Sequence, residues 1–273
     1  MAIFLRHSHN VKPVRWGSEA DIQYAIAKNS EKIYGVDPDS NVLVMPLFWG
    51  FPCLDYSGKQ NHGTPVGGVA YDGQGLDFDR TDDKIIVPHN ANLSLTTNWT
   101  FLMVLRTDIT AGVSSNQQLA AKTDGTDFNY SLAIGTYGAA DRKIAVNYKS
   151  GGTWQGEYNS NSSIPLAEKC SICHVKNGSN FLFYINGSAD GSANDTEVPD
   201  TNIHPLHLFG HATAASRGLD GGVWSCIISN SAYTAEQIAL FYARKWDLYR
   251  RVGRTYYSVA AAPSVYIPQI MIF

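Results

Sequence analysis

The chain has 273 residues, enough for one large domain or two small ones. Its 21 Lys+Arg against 24 Asp+Glu leave a formal net charge of -3, which excludes nucleic acid and an anionic membrane as electrostatic partners. Charged residues make up only 16% while glycine (24) and tyrosine (15) are abundant, so the composition is that of a turn-rich, all-β chain with a polar but weakly charged surface.

The opening stretch, MAIFLRHSHNVKPVRWG, has no apolar run of signal-peptide length, and no segment approaches the uncharged span of a membrane helix. The expectation is synthesis in a cytoplasm with no signal peptide, and so Cys53, Cys170, Cys173 and Cys226 kept reduced as small buried hydrophobes. Residues 1–40 read as an arm carrying one short helix. Ser18 and Asp21 form its cap, and Ile22, Ala25, Ile26 and Ile33 recur at helical spacing, which predicts a helix over 19–33.

From Asn41 the texture changes to short apolar or alternating runs (NVLVMPLFWG, KIIVPH, WTFLMVLRT, YSLAIGTY, KIAVNYK, FLFYING, PLHLFGH, GVWSCIIS) split by Gly, Asn, Asp and Pro. That pattern predicts antiparallel strands of a sandwich over 41–250. Within it, CSICH at 170–174 spells a haem attachment motif. The following Asn177-Gly178 and SNFLFYING make it the first strand of a hairpin, with Cys170, Ile172 and His174 on one face and Ser171, Cys173 and Val175 on the other. Haem c is therefore rejected, and zinc with it, because no second Cys/His pair stands at ligand spacing. Asp77, Asp79, Asp82 and Asp83 are the best candidates for Ca²⁺, but a strand followed by a turn explains them as well and no metal site is assigned. His204, His207 and His211 are read as core or edge residues.

Near the end, Thr234 with Gln237 is a capping box, and Ile238, Phe241, Tyr242 and Trp246 share a face, which predicts a helix over 234–249. The tail 251–273 is too apolar for a solvated linker. Val265, Ile267, Ile270, Ile272 and Phe273 are assigned to assembly, adding to a sheet edge or docking on a neighbouring subunit, with Arg244, Lys245, Arg250, Arg251 and Arg254 as rim charge.

In order, LDYSGKQNHGTPVGGVAYDGQGLDFDRTDDKIIVPH (54–89), WTFLMVLRT (99–107), CHVKNGSNFLFYINGS (173–188) and GLDGGVWSCIISNSAYTAEQIALFYARKW (218–246) resemble the successive signatures of concanavalin A-like, laminin-G-like jelly-roll domains. With the arm and the basic tail, the whole is similar to uncharacterised proteins of tailed bacteriophages and environmental viruses. The resemblance implies an all-β, two-sheet antiparallel jelly roll. It departs from the usual closing motif at Asp220, which is followed by Gly221 and Gly222 instead of an acid.

Glycanases of this fold pair carboxylates on one strand, yet the six glutamates here have no such partner; Glu197 has Asp195, but in a turn-rich segment. No nucleophile elbow, Walker loop or dinucleotide fingerprint is present. The protein is expected not to be an enzyme and to need no cofactor. The first functional expectation is a structural protein of a phage virion, a capsid decoration or tail component, forming a homo-oligomer and contacting other virion proteins. The second is a lectin-like module, because Tyr130, Tyr137, Trp154 and Tyr158 lie in a Gly/Ser/Asn-rich stretch where exposed rings could stack on sugars.

Overall fold

The computed structural model describes residues 18–252 except 51, 110–115, 138 and 140. In chain order the elements are α1 (Glu19–Tyr34), β1 (Asn41–Met45), β2 (Thr64–Val66), β3 (Ala70–Tyr71), β4 (Leu76–Asp79), β5 (Lys84–Val87), β6 (Asn98–Leu105), β7 (Gln117–Thr123) and β8 (Phe128–Ile134). There follow β9 (Lys143–Ser150), β10 (Thr153–Trp154), β11 (Tyr158–Ser163), β12 (Cys170–Asn177), β13 (Asn180–Ile185), β14 (Ser188–Asn194), β15 (Leu206–Leu208), β16 (Asp220–Ser229) and α2 (Ala235–Arg244). The assembly residues Val265, Ile267, Ile270, Ile272 and Phe273, with Arg254, lie outside the described residues.

The strands form two antiparallel sheets. The first runs β14-β13-β12-β6-β16-β4-β3, with β1 also on β16; the second runs β10-β9-β8-β7-β15-β5-β2, with β11 also on β9. Alternate residues of both sheets meet in the main core, among them Phe101, Met103, Phe181 and Phe183 from the first and Tyr130, Leu132, Val146 and Tyr148 from the second.

The first sheet is covered on its other face too. Val44, Leu102, Cys173, Val175 and Ile227 pack beneath Ile22, Ile26 and Tyr34 of α1, Ile238 and Phe241 of α2, and Leu248 and Tyr249. Burial on both faces explains why β6 reads as the unbroken apolar run FLMVL. Residues 19–34, grouped with the arm by the sequence, are thus part of this domain. Each buried apolar side chain there contributes about 1.5–3 kcal/mol, and Asn29 Nδ2 donates to the carbonyls of Leu248 (2.9 Å) and Arg250 (2.8 Å). The helix starts where expected, with Ser18 Oγ accepting from the Asp21 amide, and ends on Gly35, whose φ of 62° a side chain would resist.

Two elements differ from expectation. α2 has its capping box, Thr234 with Gln237, but stops at Arg244; Tyr242 and Trp246 stay about one-third exposed, and a 3-10 turn over Asp247–Tyr249 brings Leu248 and Tyr249 into the second core. Packing of those two side chains overrides helix continuation. The β12–β13 hairpin turns on Gly178 and Ser179, one residue later than predicted, because Asn177 pairs with Asn180.

Candidate functional site

The second sheet's outer face lies away from both cores; no described helix packs on it, yet its central residues, among them Ala121, Ala133 and Ala145, are buried. Its strand registers align two rows. In one, His207 of β15 pairs with Ala121 of β7, Ala121 with Ser131 of β8, and Ser131 with Asn147 of β9. In the other, Gln118 of β7 pairs with Ala133 of β8, Ala133 with Ala145 of β9, and Ala145 with Asn159 of β11. Directly paired residues share a face, and the intervening Leu132 and Val146 point into the main core. Each row is therefore a polar residue, two small ones and a second polar residue, spanning about 14 Å across four strands.

The polar ends carry unused acceptors. Gln118 Oε1, Asn147 Oδ1, Asn159 Oδ1 and His207 Nδ1 are shielded from solvent and have no hydrogen-bond partner. Gln118 and His207 are only 4% and 6% exposed, and Gln118 Nε2 donates to Ser131 Oγ at 2.5 Å. Burial lowers the His207 pKa to about 4, helped by the nearby Lys84 and His211, so the ring is neutral near pH 7. An unpaired buried acceptor costs about 1–3 kcal/mol. All four sit at positions turned away from the main core and shielded from solvent.

Aromatic groups stand at both ends of the rows. Trp154 on β10 pairs with Lys149, is 47% exposed, and lies 4.8 Å between ring centroids from Phe128, which in turn is 6.2 Å from His211. The Lys149 ammonium sits 5.4 Å above the indole and donates to the Thr126 carbonyl at 2.6 Å. Beyond the other end of β8, Tyr137 is 66% exposed, with the Arg217 guanidinium 5.2 Å over its ring. Its backbone N–H donates to both carboxylate oxygens of Glu157 (3.2 and 3.0 Å), whose pKa burial raises.

Two of the four aromatic residues chosen from sequence are thus exposed beside the rows, and two are not. Tyr130 is fully buried in the main core with its hydroxyl donating to the Leu93 carbonyl at 3.1 Å, so it cannot stack on a ligand. Tyr158 is half-buried; its ring stacks on Phe181 at 4.7 Å and its hydroxyl donates to Asp195 at 2.5 Å. Strand alternation turns both inward. Asp195 also accepts from Tyr148 at 2.5 Å, while Glu197 accepts from Ser150 Oγ at 2.9 Å, so these two acids hold structure on separate partners. Gln118, Asn147 and Asn159 escaped the sequence reading, and His207 was read only as a core or edge residue. The alternation in QQLAAKT and KIAVNYK marks polar positions facing away from the core, but not which strand lies beside which.

The other candidates have ordinary partners. Cys170 lies in the main core and Cys173 in the second, on opposite faces of β12 as expected, and burial raises the Cys170 thiol to about 12. His204 Nε2 faces Asp124 (3.5 Å) and Asp127 (3.4 Å), and His211 Nδ1 accepts from the Thr213 (3.1 Å) and Ala214 (2.9 Å) amides. Asp79, Asp82 and Asp83 have carboxylate oxygens within 4.8 Å of one another. Asp83, expected in a turn with Asp82, is 3% exposed and accepts from the backbone amides of Gly68 and Asp79, which satisfies both its oxygens within the loop. The glycine after Asp220 has a steric cause: Gly221 has φ +142° and a Cβ there would lie 2.1 Å from the Arg106 carbonyl oxygen.

The same two-sheet arrangement recurs in solved structures. Domain 4 of AbnA, an extracellular arabinanase from Geobacillus stearothermophilus solved with arabinotriose, superposes with a TM-score of 0.57 at 13% identity, covering 77% of this chain and 98% of that one. The receptor binding domain of botulinum neurotoxin mosaic serotype C/D gives 0.59 at 14%, covering 76% of this chain and 51% of that one. A Trypanosoma rangeli sialidase gives 0.58 at 11%, covering 77% and 33%. The chain thus spans about half of the toxin domain and a third of the sialidase. At these identities the likeness is one of fold, a fold shared by enzymes and by binding domains. No curated protein sequence matches the chain. Residues 79–239, more than half of its length and including both rows, match the family described as the concanavalin A-like lectin/glucanases superfamily, and it is to that family that the chain belongs.

Proposed function

We propose that the outer face of the second sheet binds carbohydrate without cleaving it. The observation that carries this reading is the pair of exposed rings, Trp154 and Tyr137, beyond opposite ends of β8. Sugar faces stack on exposed rings. The arabinanase domain with its bound arabinotriose supports the reading, as a protein of the same fold that takes a glycan. The non-catalytic part rests on the rows themselves. Glycoside hydrolysis needs two carboxyl groups facing the scissile bond, whereas both rows are built of Ala, Ser, Asn, Gln and His. No metal is required. The test is retention of the protein on immobilised polysaccharides by affinity electrophoresis: retention lost in Trp154→Ala and in Tyr137→Ala supports the reading, and retention unchanged in both refutes it.

A second reading, independent of this face, is assembly into a phage virion as a homo-oligomer through the tail. It is supported by the alternating apolar residues Val265, Ile267, Ile270 and Ile272, which would add to a sheet edge. Light scattering of the full chain against residues 18–252, a boundary that keeps α1 on its sheet, tests it. A mass that falls to monomer on trimming supports the reading, and two identical monomers refute it.

A further inference from the structure

Trp154 and Tyr137 stand beyond opposite ends of β8, yet a single loop, residues 210–218, reaches the surroundings of both. We propose that His211 is a pH-dependent latch for that loop: neutral, its imidazole holds the loop against both rings, and protonated, it lets go and glycan binding weakens. This inference rests on the carbohydrate reading of the same two rings.

The loop is closed at its neck, where the Leu219 amide donates to the Phe209 carbonyl (2.9 Å) and the Phe209 amide to the Leu119 carbonyl of β7 (2.9 Å). Within it His211 Nδ1 accepts from two backbone amides, those of Thr213 (3.1 Å) and Ala214 (2.9 Å). Amides only donate, so Nδ1 carries no proton in this arrangement. These are the amides two and three residues ahead, the same pair that Asp72 takes from Gln74 and Gly75, and Asp124 from Thr126 and Asp127. Aspartate and asparagine are the ordinary residues for such a turn; at 211 the acceptor belongs instead to a group that titrates near physiological pH. The Ala214 carbonyl in turn accepts from the Arg217 amide (3.1 Å), closing the 3-10 turn Ala215–Arg217, whose last residue lies over Tyr137. The imidazole itself is 6.2 Å from the ring of Phe128, which backs Trp154 at 4.8 Å. One side chain thus sets Arg217 on one exposed ring and supports the other.

Protonation removes the lone pair that both amides use and puts a proton against them. The charged groups that face His211 are Lys84 of β5 and Arg217 of its own loop, with His207 of β15 also near. Burial, Arg217 and Lys84 hold its pKa below the ordinary value, so the latch is closed at pH 7 and opens in acid. The loop's other ties add cations: Lys84 Nζ donates to the carbonyls of His211 (3.2 Å) and Ala212 (3.3 Å), and Arg80 Nε to that of Ser216 (3.0 Å). No carboxylate forms an ion pair with His211 among the described residues. Asp83, beside Gly210, accepts from the Gly68 and Asp79 amides, and Asp124 and Asp127, on the β7–β8 turn where Thr213 packs on Gly125, face His204. An imidazolium at 211 therefore meets repulsion and gains no partner.

The test follows the full chain between pH 7 and 5, with circular dichroism to check that it stays folded. In ¹⁵N-labelled protein the His211 ring is expected to start as the Nε2–H form and to titrate below about pH 6.5, with the Thr213, Ala214 and Arg217 amides shifting in step. Retention on immobilised arabinan, glucan or galactan is expected to weaken about fivefold or more over the same range. Two variants read the cause. His211→Asn offers a fixed acceptor to the same two amides, so its retention at pH 7 and at pH 5 is expected to agree. His211→Ala removes the latch and is expected to bind weakly at both. An Asn variant that loses as much retention in acid as the native chain overturns the latch, and so does protonation of His211 that leaves the Thr213 and Ala214 amides unshifted. Retention on none of the three polysaccharides at pH 7 overturns the carbohydrate reading and the control of binding with it, while the amide shifts still decide whether acid releases the loop.

Discussion

Asp55, in the motif LDYSGKQNHG, is fully buried, and removing its carboxylate tests what that motif does. Oδ1 accepts from the backbone amides of Val44 (2.8 Å) and Ser57 (2.9 Å), and Oδ2 from Ser57 Oγ (2.8 Å) and the Asn61 amide (2.9 Å). One side chain thus ties the loop over residues 55–61 to β1, where Tyr56 also donates to the Val44 carbonyl at 2.9 Å. Asp55→Ala leaves the Val44 and Asn61 amides without their acceptor; at about 1–3 kcal/mol for each buried group, the expected loss is about 4 kcal/mol. That is a large part of a domain's usual 5–15 kcal/mol, roughly speaking. Asp55→Asn keeps one oxygen but turns an NH₂ toward donors, so about half of the loss is expected. Urea unfolding followed by tryptophan fluorescence measures it, read as a fall in midpoint at constant m. A loss below about 1 kcal/mol for Asp55→Ala would refute the argument that this motif is structural. Glycan retention by the folded variant is expected to be unchanged, because β1 belongs to the other sheet.

Acid is expected to destabilise the fold through two buried histidines. Burial lowers His174 to about 3 and His207 to about 4, against about 6.5 for an exposed histidine. The unfolded chain therefore takes up protons that the fold refuses, so the stability these residues contribute is complete above about pH 6.5 and lost as pH falls toward 4 and then 3, at up to about 1.4 kcal/mol per unit for each. His174→Leu should flatten the fall in melting temperature between pH 7 and 4; an equal fall in both proteins would count against it. Gly221→Ala drives a methyl into the Arg106 carbonyl at a positive φ and is expected to lower stability by about 1–3 kcal/mol, with an unchanged melting curve as the contrary result. Trp154→Ala, at a site 47% exposed, is expected to leave the midpoint nearly unmoved while weakening glycan binding by about 1 kcal/mol or more; a large loss of stability with unaltered binding would reverse that assignment.

Much of the architecture is legible in short stretches. The caps at Ser18 and Thr234, the hairpin around Gly178 and the opposite faces of Cys170 and Cys173 each depend on residues within a few positions of one another, and each was found within a residue of where the sequence put it. The order of motifs from LDYSGKQNHG onward carried the family. Asp55 and Gly221 show why that motif order says little about chemistry: Asp55 serves as a buried hydrogen-bond anchor and Gly221 avoids a steric clash.

The candidate site needed contacts between distant parts of the chain. In sequence Tyr130 stands in the same polar stretch as Trp154, yet pairing with Tyr148 turns it into the core. His207 joins Ala121 across 86 positions, and through it Ser131 and Asn147, because β15 inserts beside β7. α1 covers the first sheet through contacts with α2 and Leu248, more than 200 residues away, and that cover buries the sheet on both faces. The amino-acid sequence by itself determined the strands, caps, turns and fold class, since alternation and turn chemistry act over a few residues. Tertiary structure alone decided which residues share a row and which face the helices cover, since strand register and helix docking are set by packing between segments that no local pattern relates.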